Sequence, residues 1–129
     1  MSDVVLDASA LLALLLEEPG AEIVSAALPG SAMTSVNLAE VVSYYAKRGA
    51  TRATITQMLG EFPIAMVPVD ADISYDAGML RPLTIEGGLS LGDRYCLALA
   101  RRLDLPVLTA ERRWPEIADA AGVRVELIR

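Results

Sequence analysis

The feature that most constrains the fold is an alternation of short β-rich segments with segments of helical periodicity. Five runs rich in branched apolar residues are separated by stretches whose apolar residues recur at helical spacing. The predicted strands are Val4–Leu6, Ala32–Val36, Pro63–Val69, Leu105–Thr109 and Val123–Leu127. Strands that alternate with helices indicate parallel βαβ units with right-handed connections. The sequence therefore predicts an α/β sandwich built on a parallel sheet.

Helices are predicted between these strands, and several of them end at proline or glycine. The predicted helical segments are 8–16, 21–28, 37–49, 51–61, 70–80, 91–104 and 114–122, with a loop at 84–90. At 129 residues the chain is long enough for one domain with a buried core, and no repeat or linker divides it. We therefore expect a single domain over residues 1–129.

The residue types that are scarce restrict the chemistry. Histidine is absent, which excludes Ser-His and Cys-His nucleophile pairs and ordinary zinc sites. The single cysteine, Cys96, excludes an internal disulfide and lies in an apolar helical pattern, where an inert core thiol is expected. A hydrolase of this composition would depend on carboxylates and a hard metal ion.

The charge balance bears on partners and location. A net charge of −6 argues against a general nucleic-acid binder with a basic face, although basic residues cluster locally. The apolar run Leu11–Leu16 is far too short to cross a bilayer. With Asp3 and no basic segment near the start, we expect no signal peptide, no membrane association and a cytoplasmic protein.

Four acids occupy equivalent places relative to the predicted strands. Asp7 directly follows the first strand, and Glu40 lies one turn into the helix after the second. Asp93 lies in the first turn of the helix that begins near Ser90, and Glu111 follows the fourth strand. Because residues just past the carboxyl ends of parallel strands meet at one edge of the sheet, we expect these acids to converge there.

Each acid also has a purely structural interpretation. Asp7 could be a helix N-cap, and Glu111 could complement a helix dipole. Residues 37–40 and 90–93, Asn-Leu-Ala-Glu and Ser-Leu-Gly-Asp, both resemble capping boxes. Four acids at one edge nevertheless favour a shared site. Carboxylates that share a site repel one another unless a cation neutralises them, and an all-oxygen ligand set suits Mg²⁺ or Mn²⁺.

Such a metal site predicts phosphodiester cleavage as the leading chemistry. A bound divalent ion can activate water and stabilise charge on a phosphoryl oxygen. A carboxylate that the metal does not fully engage could orient the water or accept its proton.

The segments that carry the four acids resemble the PIN-domain ribonucleases, above all the VapC-like toxins of bacterial toxin–antitoxin pairs. These segments are LDASALLALLLEEPG, SVNLAEVVS, LSLGDRYCLALA and PVLTAERRW, and the resemblance extends from Val4 to about Val125. The resemblance implies a three-layer α/β/α fold and an endoribonuclease that depends on Mg²⁺ or Mn²⁺. The near-invariant acids of the family match Asp7, Glu40 and Asp93. The fourth family acid, usually aspartate, falls on Glu111, whose longer side chain makes this the least secure match.

The resemblance also implies supporting residues and partners. Ser9 and Thr109 match positions whose hydroxyls support the acids by hydrogen bonds, although ordinary helix capping is an alternative. A homodimer is implied, together with a small antitoxin that occupies an apolar groove. Residues of segment 37–62 suit this groove or, alternatively, the core; they are Tyr44, Tyr45, Met58, Leu59 and Phe62. RNA contacts would fall to Arg48, Arg94, Arg112 or Arg113.

Other interpretations remain open at the level of sequence. A haloacid-dehalogenase-like phosphatase needs a second aspartate two residues after Asp7, where this chain has Ser9. A response-regulator receiver needs a lysine after a late strand, whereas the only lysine is Lys47 on a predicted helix. The altered fourth acid, Glu111, also leaves room for a catalytically degenerate binding protein that retained the fold.

Overall fold

The computed structural model describes residues 2–84 and 88–129, and within them five strands form one parallel sheet. The strands are β1 (Val4–Leu6), β2 (Ser31–Thr34), β3 (Ile64–Val67), β4 (Val107–Thr109) and β5 (Val125–Leu127). Their order across the sheet is β3-β2-β1-β4-β5. Residues 85–87 of the predicted loop 84–90 lie outside the described part of the chain.

Helices cover both faces of this sheet. They are α1 (Ala8–Leu15), α2 (Ala21–Ala27), α3 (Ser35–Lys47), α4 (Arg52–Gly60), α5 (Ala71–Met79), α6 (Arg81–Thr84), α7 (Leu91–Leu103) and α8 (Trp114–Ala120). A 3₁₀ turn, Leu28–Gly30, leads into β2.

Alternate residues of β1 face two separate cores. Val4 and Leu6 pack in a cluster with α1, α2 and α3, whereas Val5 packs in a second cluster with α5, α7 and α8. Because side chains alternate across a strand, this division places one helical layer on each face of the sheet. The predicted three-layer α/β/α fold is confirmed.

The strand order creates a topological switch point beside β1. From β1 the chain proceeds to β2 and then β3 on one side, and it later crosses to β4 and β5 on the other. In open α/β sheets, ligands bind outside the carboxyl ends of the strands at such a point. Leu6 is in register with Leu108, so Asp7 and Thr109 emerge together at this edge. The order also differs from the flavodoxin-like order of receivers.

The start of α3 differs from the sequence prediction. Strand β2 ends at Thr34 rather than Val36, and α3 begins at Ser35 rather than Asn37. The cause is the Thr34 side chain, which accepts the backbone N–H of Asn37 at 3.0 Å and so caps the helix. Residues 37–40 are therefore not a capping box. Residues 90–93 are one, because Ser90 and Asp93 exchange both hydrogen bonds.

Two further points complete the fold. Pro82 lies beyond the end of α5 and inside the short helix α6, where the first turn of a helix does not need its missing N–H. Among the residues that the structure describes, no helix combines the length and apolarity that a membrane span requires.

Candidate active site at the carboxyl edge of the sheet

Asp7 is a buried carboxylate at the junction of β1 and α1, with only 3% of its surface exposed. Its Oδ1 accepts the backbone N–H of Ala10 at 2.8 Å, so it does act as the N-cap of α1. The Ser9 hydroxyl donates to the same carboxylate at 2.8 Å, and the Thr109 hydroxyl donates to Oδ2 at 2.6 Å. A residue from the end of β4 therefore holds the acid that follows β1.

The environment of Asp7 disfavours its charged form. Burial raises its pKa from 3.8 to about 6, although hydrogen bonds from Thr109, Ala10 and Ser9 oppose the shift. The negative charge of Asp93 adds to the increase. A cation near Asp7 would remove this penalty.

Ser9 and Thr109 connect Asp7 to the turn that follows β4. The Ser9 hydroxyl oxygen accepts the N–H of Ala110 at 3.0 Å, and the Thr109 hydroxyl oxygen accepts the N–H of Glu111 at 3.0 Å. The two hydroxyl oxygens lie 3.3 Å apart. Both side chains thus contact the acid itself and do more than cap a helix.

Glu40 reaches the same edge from α3. Glu40 is exposed overall, but its carboxylate packs closely against Gly92 of α7. An ideal Cβ placed on Gly92 would lie within 2.7 Å of both carboxylate oxygens of Glu40. Oε1 accepts a hydrogen bond from Nδ2 of Asn37 at 2.7 Å. Partial burial raises the pKa of Glu40, the Asn37 hydrogen bond lowers it, and the charge of Asp93 raises it further.

Asp93 completes a group of three acids that influence one another. It lies in the first turn of α7, where its Oδ2 accepts the Ser90 N–H at 2.8 Å. Its charge raises the pKa values of both Asp7 and Glu40, which places the three carboxylates in one electrostatic cluster. The same acids, together with full burial, raise the pKa of Cys96 well above its ordinary value. Cys96 is therefore the inert core thiol expected from the sequence.

Glu111 is placed differently from the other three acids. Its backbone N–H binds Thr109, so its main chain adjoins the site. Its side chain is exposed, and in the part of the chain that the structure describes no hydrogen bond or ion pair holds its carboxylate. The structure therefore brings together Asp7, Glu40 and Asp93, with Glu111 at the margin.

The donor chemistry of the three acids fits a hard divalent ion. All their ligand atoms are oxygens, which Mg²⁺ and Mn²⁺ prefer. Within residues 2–84 and 88–129, ion pairs involve only Arg102 and Arg129, so no arginine or lysine forms an ion pair with the three acids. Within the same ranges no three acid or cysteine side chains already enclose an ion-sized site. The three acids therefore suit a divalent cation for two reasons: their ligand atoms are oxygens, and no ion pair in the described part of the chain offsets their negative charge.

The predicted RNA-binding arginines occupy three different settings. The Arg48 guanidinium stacks on the Tyr44 ring at 3.5 Å and donates to the Tyr44 carbonyl at 2.8 Å, at the end of α3. Arg94 is half-buried beside Asp93, and its buried Nε has no hydrogen-bond partner among the described atoms. Arg112 and Arg113 are exposed between β4 and α8. In sequence, Arg94 directly follows Asp93, and Arg112 and Arg113 directly follow Glu111. Arg48 lies about two helical turns beyond Glu40.

An apolar groove of about 750 Å³ lies between α3 and α4. Leu38, Val42, Ile55 and Leu59 line it, and Arg52 lies among its polar residues. Of the groove residues expected from sequence, only Leu59 lines it. Tyr45, Leu59 and Phe62 also pack against the core beneath α1, which supports the alternative core interpretation for them.

Asn37 is the functional candidate that the sequence prediction missed. It is 1% exposed, and its amide contacts both Glu40 and the carbonyl oxygen of Gly92. A signal was available, because a polar residue one turn before a candidate ligand on the same helix is a natural hydrogen-bond partner for it.

Comparison with known proteins agrees with this fold. The family model of the PIN domain matches residues 4–120. Among curated proteins, none matches the sequence significantly. A toxin–antitoxin complex from Klebsiella pneumoniae contains a similar chain, with a TM-score of 0.73, 22% identity, and 98% of each chain covered.

Two other solved structures are similar at equally low sequence identity. DNA-bound VapBC from Salmonella typhimurium gives a TM-score of 0.75 with 18% identity and full coverage, 100%, of both chains. VapC20 from Mycobacterium tuberculosis, described as a toxin that cleaves the sarcin–ricin loop, gives 0.68 with 19% identity over 94% of this chain and 96% of that one. At such identities the similarity establishes the fold.

Proposed function

Because the chain belongs to the PIN-domain family, we propose that it is an endoribonuclease that depends on Mg²⁺ or Mn²⁺ and is the toxin of a toxin–antitoxin pair. The observation that carries the proposal is the convergence of Asp7, Glu40 and Asp93, in which a buried carboxylate with a raised pKa lies near two further acids. Such a cluster is costly for stability unless it binds a cation.

The three clustered acids share the metal in this proposal. Asp7, Glu40 and Asp93 would hold it, and Glu111 would contribute from the margin. A bound Mg²⁺ or Mn²⁺ would supply Lewis-acid polarisation of the scissile phosphate and would lower the pKa of a water molecule beside it. Asn37 occupies Oε1 of Glu40, which leaves Oε2 as the oxygen that would hold the metal. The carboxylate that the metal engages least would accept the proton of that water. The water oxygen would bond to phosphorus as one of the two ester P–O bonds breaks, and the leaving oxygen would take up a proton from solvent to become a hydroxyl group.

Ser9 and Thr109 keep Asp7 in place during this reaction. Their hydroxyls donate to both of its oxygens, so its orientation is fixed before any cation or substrate arrives. The RNA backbone would be held by Arg94, Arg112 and Arg113 near the acids and by Arg48 farther along α3. Contacts of this kind neutralise phosphates without reading sequence.

Cation dependence is the direct test of the nuclease proposal. Purified protein, separated from any bound partner, should cleave RNA with Mg²⁺ or Mn²⁺, lose cleavage in EDTA and regain it when Mn²⁺ is restored. Cleavage that persists in EDTA would overturn the metal mechanism. A folded protein that cleaves no RNA with either ion would favour the degenerate binding protein instead.

The toxin role has its own support and its own test. Structures of a toxin–antitoxin complex and of VapBC share this fold. We propose that a small antitoxin occupies the groove between α3 and α4 and that the protein acts in the cytoplasm, where its RNA substrate is found. Expression should arrest growth, a small co-encoded protein should relieve the arrest, and Val42→Arg should prevent that relief. Soluble expression without arrest would argue against a toxin.

An exposed apolar patch on α5 supports the proposed homodimer. Tyr75 is 76% exposed and Met79 is 71% exposed, one turn apart on the same helix. If two copies join through this patch, Tyr75→Glu should convert a dimer into a monomer in light scattering. A dimer that survives this change would place the interface elsewhere.

A further inference from the structure

We propose that Asn37 is a positioning residue that fixes Glu40 against the first turn of α7, and that Gly92 is required there to admit the Glu40 carboxylate. The inference rests on the proposed metal-dependent nuclease and goes beyond it, because it concerns residues outside the set of four acids. The three residues form what we call the α3–α7 clasp: Asn37, Glu40 and Gly92.

The hydrogen bonds of the Asn37 side chain determine its orientation. Its Nδ2 donates to Oε1 of Glu40 at 2.7 Å and to the carbonyl oxygen of Gly92 at 3.1 Å. Its Oδ1 accepts the Thr34 hydroxyl at 2.6 Å. A reversed amide would direct its oxygen at two acceptors, so only one orientation satisfies every group. Since Asn37 is 1% exposed, water cannot substitute for these partners.

Thr34 extends this arrangement to the sheet. It is the last residue of β2 and is fully buried, 0% exposed. Its oxygen accepts the Asn37 N–H at 3.0 Å while its hydroxyl donates to Asn37 Oδ1. The position of the Asn37 amide is therefore determined by the end of a strand, which is more rigid than an exposed helix face.

Gly92 makes the close approach of Glu40 possible. An ideal Cβ on Gly92 would lie 2.6 Å from Oε1 and 2.7 Å from both Cδ and Oε2 of Glu40. Such distances are shorter than any real contact, so even alanine would displace the carboxylate. Gly92 has no positive φ in the structure, so backbone conformation does not explain the glycine.

The clasp also sets the distance between two of the acids. Gly92 immediately precedes Asp93 in α7, and Asn37 lies one turn before Glu40 in α3. One amide group thus joins the helix that carries Glu40 to the helix that carries Asp93. Partners of ligand side chains typically change metal affinity by about 10- to 100-fold when they are removed.

Mn²⁺ binding tests this role separately from catalysis. In the intact protein, Asn37→Leu should raise the dissociation constant for Mn²⁺, measured by electron paramagnetic resonance of the free ion, by about 10-fold or more. Ser31→Ala is the matched control, because Ser31 is also buried and donates to the Leu28 carbonyl at 2.7 Å, yet it lies at the opposite end of β2. It should lower thermal stability and leave Mn²⁺ affinity unchanged.

A second pair of variants keeps the proposal testable if Asn37→Leu does not fold. Gly92→Ala should weaken Mn²⁺ binding to a similar degree. Gly78→Ala, on a helix where the added methyl group meets nothing within 4 Å, should not. In a double-mutant cycle, Asn37→Leu should have little further effect on Mn²⁺ affinity once Glu40 is replaced by Gln.

The outcomes separate the inference from the function on which it rests. If the wild-type protein binds Mn²⁺ and cleaves RNA while Asn37→Leu and Gly92→Ala bind Mn²⁺ equally well, the clasp has no positioning role and the inference is overturned. If the wild-type protein binds no Mn²⁺, the proposed function fails and the inference fails with it.

Discussion

The Thr109 hydroxyl donates a 2.6 Å hydrogen bond to Oδ2 of Asp7 across the junction of β1 and β4. The two residues are 102 positions apart in sequence, and the switch in strand order brings them together. The contact therefore places a buried charge at the point where an open α/β sheet binds ligands.

Replacing Thr109 by valine should impair the site without rearranging the fold. Valine retains the shape, but it removes the donor to Asp7 and leaves the Glu111 N–H without its acceptor. Loss of the buried hydrogen bond to Asp7 costs about 1–2 kcal/mol of unfolding free energy, measurable by urea denaturation. Cleavage should fall by about 10-fold or more because Asp7 loses a fixed orientation. Wild-type cleavage in a folded Thr109→Val protein would show that this hydroxyl does not support the acid.

The stability of the metal-free protein should depend on the ionisation of Asp7. The folded protein binds this proton more tightly than the unfolded chain, because the pKa is about 6 in the fold against 3.8. The resulting stabilisation is complete below pH 4 and is lost as the pH rises through about 6, a difference of about 3 kcal/mol. Unfolding in EDTA as a function of pH measures it.

Asp7→Asn should therefore be more stable than the wild type at pH 7.5 in EDTA, by about 1–3 kcal/mol, because asparagine carries no buried charge. Asp70→Asn is a matched control. Asp70 caps α5 through the Ile73 N–H at 2.9 Å, but it is exposed. Its replacement should change stability by no more than about 0.5 kcal/mol. Equal effects at the two positions would contradict the burial argument for Asp7.

Glu111→Asp should retain cleavage within about three-fold of the wild type or exceed it, because it restores the side chain usual in the family and disturbs no observed contact of the Glu111 carboxylate. The ratio kcat/KM measures the effect, and Glu116→Asp on α8 is an exposed control. Complete loss of activity in Glu111→Asp alone would show that the pocket requires the longer side chain.

Two glycines should respond to alanine in opposite ways. Gly20 has φ +96°, and a Cβ there would lie 2.6 Å from the Ile128 carbonyl oxygen. Gly20→Ala should therefore reduce the unfolding free energy by about 1–2 kcal/mol or more. Gly78→Ala, inside α5 with free space around it, should increase it by about 0.5–1 kcal/mol. Thermal unfolding compares them, and destabilisation at both sites would contradict the described packing.

Much of the fold could be predicted from the sequence because its signals are local. Each strand is a short apolar run bounded by a turn or a helix start, and parallel pairing follows from the alternation. Asp7 and Glu40 could be selected because their places relative to strand ends are visible in sequence, and Asp93 because it lies in the first turn of a predicted helix. Their mutual approach depends on the strand order β3-β2-β1-β4-β5, which the local pattern does not contain.

Contacts between distant segments determine the features of the site that could not be predicted from the sequence. The Asn-x-x-Glu spacing of residues 37–40 matches a capping box, but Thr34 takes the capping role and frees the Asn37 amide. That amide then binds the carbonyl of Gly92, 55 residues away, which no local spacing could indicate. For Glu111, the position in the chain is visible in sequence but the direction of its side chain is not.

The most direct test of the account is single-turnover cleavage of labelled RNA by Asp93→Asn, compared with the wild-type protein in the same Mn²⁺ buffer. The substituted asparagine would keep the size of the side chain and an acceptor for the Ser90 N–H while removing the charge that Asp93 contributes to the cluster. We predict a folded variant whose thermal midpoint is close to that of the wild type and whose cleavage is lost. Full cleavage by folded Asp93→Asn would contradict the assignment of this carboxylate cluster as the catalytic metal site.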